Sequence, residues 1–173
     1  MKKLLALTFL LGMLNSQKTF AQDDKSKLPS PPAKVSATLA SGAIITIDYS
    51  QPAVKGRTIG KDLEPMEGKV WRTGANDATV FENSKNITVE GKSLAAGKYA
   101  LFTIVQNGEW TIIFNKTWKQ WGAFGYKEAD DILRVKVKGN KAASFSERMT
   151  FMIDKSGKIS LIWGDNQVNF QTK

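Results

Sequence analysis

From Lys69 to Phe81 the sequence reads KVWRTGANDATVF, and just after Trp71 it sets Arg72, Thr73, Asn76 and Asp77 around a single glycine. A tight turn needs only Gly74, taken here as a positive-φ residue, and Asn76, whose amide bonds to the local backbone. The other side chains exceed that need. Arg72 is a planar donor, Asn76 both donates and accepts, and Trp71, read as leaning toward solvent, has a face for stacking. That set suits a sugar or a carboxylate. The structural alternative pairs Arg72 with a carboxylate and packs Trp71 at the edge of a core.

A second concentration of chemistry lies in WKQWGAFGYKEADD, residues 118–131. Trp118, Trp121, Phe124 and Tyr126 are separated by Gly122 and Gly125, a pattern for an aromatic platform or for a crossover covering one end of the fold. Glu128, Asp130 and Asp131 follow at once. Two carboxylates roughly 5–9 Å apart are the minimum glycosidase set, although adjacent acids in a loop more often shape turns. A calcium loop would need alternating ligands around a central glycine, which this segment lacks. Lys55 and Arg57 flank Gly56 and suit an anion or a plain charged loop. Glu147 alternates with Phe145, Met149, Phe151 and Ile153, which predicts a carboxylate on an apolar face. Such a group must be paired or protonated, with Arg72 or Arg134 as its partner.

Two absences narrow the chemistry. The chain has no histidine, which removes Ser-His-Asp and Cys-His nucleophilic systems and the usual histidine-based metal sites. It has no cysteine, so no disulfide supports the fold and a packed core must do so. No metal and no cofactor is expected. Carboxylate chemistry, lysine chemistry, oxygen-ligated calcium or no chemistry at all remain.

The N-terminus has the pattern of a secretory leader. Lys2 and Lys3 precede an apolar run over residues 4–14, and Thr19-Phe20-Ala21 puts small residues before a cleavage point after Ala21. The run is too short for a permanent helical span, which takes roughly 20 residues. Loss of Lys2, Lys3 and Lys18 with the leader lowers the net charge from +9 to +6. The remaining basic residues are scattered among acids, so a nucleic-acid partner is not expected. The expected organisation is a signal peptide at 1–21, a flexible Pro-rich tether at 22–33 and one domain at 34–173, exported to the periplasm or beyond.

The elements that must position these residues are strands. Residues 44–50 alternate, with Ile45, Ile47 and Tyr49 on one face. Asn107-Gly108 between two β-rich runs predicts a type I′ hairpin, with Ile112 and Phe114 in the core. Residues 99–105 are apolar on both faces and predict a central strand. Leu133, Val135 and Val137 point inward along the next run. The segment from Phe145 to Phe170 predicts three strands, with turns at 154–157 and at Asp165-Asn166. Helical periodicity is absent, apart from room for a short helical turn within residues 116–131. The fold class is all-β, a single-domain β-sandwich or jelly-roll-like fold of about nine to eleven short strands.

Four stretches together resemble a known family: IDYSQPAVKGRTIG, KVWRTGANDATVF, LAAGKYALFTI and EWTIIFNKTWKQWGAFGYKEADDILRVKV. They are similar to the secreted bacterial family called domain of unknown function 2911, over roughly residues 28–170. The resemblance implies an exported, mostly β domain and no established activity. The chain departs from the family's pattern at Glu67, where an aromatic is expected, and at Gln51, where a basic residue is common. The expected function is a cell-envelope binding module for a glycan or peptide, with Arg57, Trp71, Arg72, Asn76, Trp121 and Tyr126 as candidate ligand-binding residues. The alternatives are a carboxylate-dependent, glycosidase-like hydrolase using Glu128, Asp130 or Glu147, and a structural envelope protein without a small ligand.

Overall fold

The computed structural model describes residues 27–173. The expected leader, its cleavage point and the first part of the tether lie outside these residues. Within them the alternating segments form nine strands: β1 (Pro32–Thr38), β2 (Ile44–Ser50), β3 (Thr79–Asn83), β4 (Ile87–Val89), β5 (Lys92–Leu94), β6 (Gly97–Gln106), β7 (Glu109–Asn115), β8 (Asp131–Ile153) and β9 (Lys158–Gln171). A short helical element, the 3-10 turn at Glu128–Asp130, falls inside the segment expected to hold one. The all-β sandwich expectation holds.

Seven strands form one antiparallel sheet in the order β1-β2-β3-β6-β7-β8-β9, and β4-β5 form a small second sheet. The order is a meander in which successive strands pair, interrupted only by the β4-β5 hairpin. The long sheet curls back on itself. Val54 N donates to Glu147 O at 2.9 Å, Met149 N donates to Pro52 O at 3.0 Å, and Phe151 N donates to the Tyr49 hydroxyl at 3.2 Å. These bonds join the segment after β2 to the far half of β8. On the other side, Thr88 of β4 exchanges backbone hydrogen bonds with Lys173. The curl brings two faces together around one core. Phe114 of β7 shows this, since its ring meets Phe81 of β3 at 5.0 Å and Phe170 of β9 at 6.3 Å, both edge to face.

Strand β8 makes the turn between layers. Residues 131–138 pair with β7, and from Gly139 onward the strand pairs with β9. Register shifts between Lys141 and Ser146, and again between Ser146 and Thr150, bend it further. The turn expected at Asp165-Asn166 does not exist. These residues lie inside β9, where Asn166 pairs with Lys141, so the two strands expected there are one. Polar residues typical of turns here mark a bend in a continuing strand. The same bends overturn the apolar placement of Glu147. Its side chain is exposed, its Oε1 accepts from Lys55 N at 2.8 Å, and it forms no ion pair with Arg72 or Arg134.

Strand β6 is apolar on both faces because both are covered. Tyr99 and Leu101 join the main core, while Ala100 and Phe102 join Ile113 and Ala78 in a second cluster beneath Val70, Ala123 and Tyr126. The loop before β3 and the aromatic crossover after β7 therefore form an outer layer. The tether is also partly engaged. β1 begins at Pro32, and the carbonyls of Ser30 and Pro31 accept from Asn76 Nδ2 and Gln51 N.

The predicted hairpin is present, with Asn107 at φ 52 and Gly108 at φ 74 and Gln106 paired to Glu109. A Cβ on Gly108 would meet nothing within 4 Å, so a substitution there is strained only in its backbone. Gly108→Val is expected to lower stability by about 1 kcal/mol or more, measured by urea unfolding, with an unchanged β-type circular dichroism spectrum.

Candidate functional site

The segment WRTGAND folds into a junction that ties several elements together. Trp71 exchanges backbone hydrogen bonds with Thr103 of β6 at 2.8 and 2.9 Å. Its indole is 2 % exposed, stacks on Trp163 at 5.8 Å and donates Nε1 to Gly74 O at 3.0 Å. A solvent-leaning Trp71 is therefore corrected: its face is covered by another tryptophan. The positive-φ residues are Thr73 at 52° and Asn76 at 60°, and Gly74 is not one of them. Glycine is required at 74 for a different reason. A Cβ there would lie 2.9 Å from Thr79 Oγ1 and 3.3 Å from Ser50 O. Thr73 is buried at the same point, where its carbonyl accepts from Thr79 Oγ1 at 2.7 Å.

Two small hollows flank this junction and share the aromatic crossover. In one, of about 450 Å³, Asn76 and Asp77 meet Trp121, Ser30 and Pro32. Asn76 Nδ2 is already engaged by Ser30 O and Ser50 Oγ, both at 3.2 Å, whereas the Trp121 ring is 61 % exposed. In the other, of about 270 Å³, Arg72 meets Glu64, Val70, Ala123 and Phe124. The backbone holds these parts in place, with Ala78 N donating to Gln120 O and Gly122 N donating to Asn76 O. The expected clustering is thus divided, with Asn76 beside Trp121 and Arg72 beside Phe124.

The remaining candidates lie elsewhere. Arg57 folds back on its own loop, donating Nε to Val54 O at 3.1 Å and Nη2 to Ala53 O at 2.8 Å. Tyr126 packs edge to face on Phe102 at 5.0 Å. Its hydroxyl donates to Asp131 Oδ2 at 2.6 Å and accepts from Arg134 Nη2 at 2.6 Å. Burial, followed by the hydrogen bond to Asp131, pushes the Tyr126 hydroxyl up to about 12, with Arg134 opposing.

This network also engages the acids of the hydrolase reading. Arg134 holds Asp131 at 2.7 Å and Glu128 at 3.1 Å, and Asn115 Nδ2 donates to Asp131 Oδ1 at 2.8 Å. Asp130 pairs with Lys116 at 3.1 Å and accepts from Thr117 Oγ1 at 3.0 Å. Those hydrogen bonds hold the Asp130 carboxyl below its ordinary range, the wrong direction for a proton donor near neutral pH. Among the described residues no group of three or more acids is placed to hold a metal ion.

A third hollow is lined by none of the expected binding residues. It is an open cleft of about 510 Å³ at the β6-β7 hairpin end. Trp110, Val105 and Pro65 give it apolar surface, and Glu67, Asn140, Lys141, Asp165 and Asn166 give it polar surface. Gly139 makes the floor possible, since a Cβ there would lie 2.8 Å from Trp110 Nε1. Beneath the floor, the indole N–H of Trp163 is buried without an acceptor among the described residues. Glu67 Oε1 accepts from Asn107 N at 2.6 Å and so braces the hairpin tip. Lys141 and Asp165 form no ion pair within the described residues. The sequence signals were Gly139-Asn140 and Gly164-Asp165-Asn166, turn-type residues that mark the bends of β8 and β9.

Two outcomes follow from this geometry. Arg72 has no ion pair within the described residues, so Arg72→Ala is expected to melt close to wild type. Gly74→Val drives atoms into Thr79 and Ser50 and is expected to lose about 1–3 kcal/mol. Thermal melts of the two proteins compare them directly. The second outcome concerns alkaline pH. A raised hydroxyl pKa in the folded state gives stability that is fully present below the ordinary value of 10.0 and is lost as pH rises through about 12. Tyr126→Phe should flatten that part of the alkaline stability profile, measured by urea unfolding between these limits.

No curated protein and no solved structure matches the chain. A family model described as Protein of unknown function (DUF2911) matches residues 30–172. That span holds every strand from β1 to β9 and the whole hairpin-end cleft. The chain belongs to the DUF2911 family.

Proposed function

We propose that this protein is an exported cell-envelope binding module that holds a glycan segment in the hairpin-end cleft. The observation carrying this reading is that Lys141 and Asp165 line one cleft and yet form no ion pair within the described residues. Saccharides are recognised by planar or charged polar groups that donate and accept around an apolar or aromatic surface. The amides of Asn140 and Asn166, the carboxylate of Asp165 and the ammonium of Lys141 supply the first. Trp110, Val105 and Pro65 supply the second. The cleft's volume of about 510 Å³ falls within the range of ligand sites. The leader-like N-terminus and the resemblance to a secreted family support export. The engagement of Glu128, Asp130 and Asp131 with cationic partners favours binding over hydrolysis at the crossover.

Isothermal titration with soluble oligosaccharides tests the site. Asp165→Asn and Lys141→Ala are expected to weaken binding about tenfold or more, with melting temperatures near wild type. Variants that bind as tightly as wild type would remove the ligand from this cleft. Binding of peptides and of no oligosaccharide would favour the peptide alternative, and release of new reducing ends would favour the hydrolase. Export is checked separately: sequencing of the mature protein from an envelope fraction should begin at Gln22.

A further inference from the structure

We propose that Arg72 anchors a second site, which takes a single planar carboxylate carried on an apolar or aromatic group. The guanidinium stays charged at any ordinary pH and has five N–H donors in a fixed fork. In this chain its Nε is buried without a hydrogen-bond partner among the described residues, and the side chain forms no ion pair within them. Buried polar atoms are nearly always satisfied, and an unsatisfied donor on a charged group is costly. Nε itself is closed to solvent, so the guanidinium meets an entering acceptor through its two Nη groups.

The backbone cannot move Arg72 to find one. Trp71 is fixed to Thr103 by two hydrogen bonds and stacked on Trp163, and Arg72 O accepts from Thr79 N at 3.2 Å. The guanidinium therefore remains at a hollow of about 270 Å³ whose other walls are mostly apolar, namely Val70, Ala123 and the ring of Phe124. Phe124 is 89 % exposed, so one large apolar ring stands in water beside a cation that has no ion pair among the described residues. Gly122 keeps the approach between them open. A Cβ there would lie 3.0 Å from two Phe124 ring carbons and 3.8 Å from Arg72 Nη1, and its φ of +64° independently favours glycine.

A carboxylate fits these donors. Two parallel N–H···O bonds from a guanidinium match its planar oxygens. The one acid in the hollow, Glu64, accepts from Met66 N through Oε2 at 2.8 Å and makes no ion pair with Arg72. Its charge balances that of Arg72, so the hollow favours a monoanion over a dianion such as phosphate. Phe124 adds an apolar surface for whatever carries the carboxylate. The C-terminal residue of a peptide and a free aromatic acid share this chemistry.

The arginine Nε–H resonances of the labelled protein, followed by nuclear magnetic resonance, test the site. The probes are N-acetylphenylalanine, its C-terminal amide, benzoate, acetate and inorganic phosphate. The Arg72 Nε–H signal is expected to shift and saturate with N-acetylphenylalanine and benzoate and to stay still with the amide. Acetate and phosphate should bind about tenfold more weakly or worse. Phe124→Ala should reduce benzoate to the level of acetate, and Arg72→Lys should weaken both carboxylates about tenfold or more. Tighter binding of N-acetylphenylalanine than of benzoate assigns the site to a peptide C-terminus, and the reverse assigns it to a free aromatic acid. A still signal with every carboxylate, or an amide that acts like the acid, overturns the proposal. If Arg72→Lys fails to fold, the wild-type comparison of acid with amide decides alone.

Discussion

Strand β8 belongs to both layers of the molecule, and its backbone must stay hydrogen bonded while it turns from one to the other. It does so by pairing with β7 up to Lys138 and with β9 from Gly139, where the chain passes directly over Trp110 with no room for a side chain. That crossing sets the angle between the layers and so the fit of Phe114 against Phe81 and Phe170. It also opens the cleft, since two strands that bend together cannot keep their side chains close-packed at the bend. In a chain without cysteine, the packing made by this crossing stands in place of a covalent tie.

The outer face of β6 and β7 extends the same logic. A central strand apolar on both sides needs a second cover, and here the cover is irregular chain, held by side-chain and backbone hydrogen bonds. Asn115 shows how this is done: buried at the end of β7, it donates to Lys127 O and Asp131 Oδ1 and accepts from Thr117 N. Tyr126 and Arg134 complete the clasp. The acids of this region maintain the cover, and the aromatics divide between support and display. Tyr126 faces Phe102, while Trp121 and Phe124 stand out in solvent.

Local patterns were legible where one physical requirement dominates. The Asn107-Gly108 hairpin follows from two positive φ angles in a row, and the inward set Leu133, Val135 and Val137 follows from the pleat. Trp71 was misread because its neighbours are polar. Its burial depends on Trp163, which lies far along the chain and on another strand. Glu147 was misread because strict alternation fails across a bulge, and bulges depend on the partner strand. Asp165-Asn166 resembles a turn because a bend and a reversal ask for the same residues. Arg72 exceeds what turn chemistry needs, but its neighbour in the fold is Phe124 and not Asn76. The cleft was not visible in advance, because four separated segments build it.

The bonds that close the curl have a kinetic consequence. Gln171 N reaches Glu90 across 81 positions, Gln51 reaches Met149 across 98, Phe151 reaches Tyr49 across 102, and Arg148 reaches Pro29 across 119. Contacts so distant along the chain reward the loss of chain entropy only after most of the polypeptide is in place. Folding of such a topology takes on the order of milliseconds to seconds, and the open sheet exposes unpaired edges throughout that interval. Whatever partner or chaperone meets this chain before those bonds form meets a set of open β-edges.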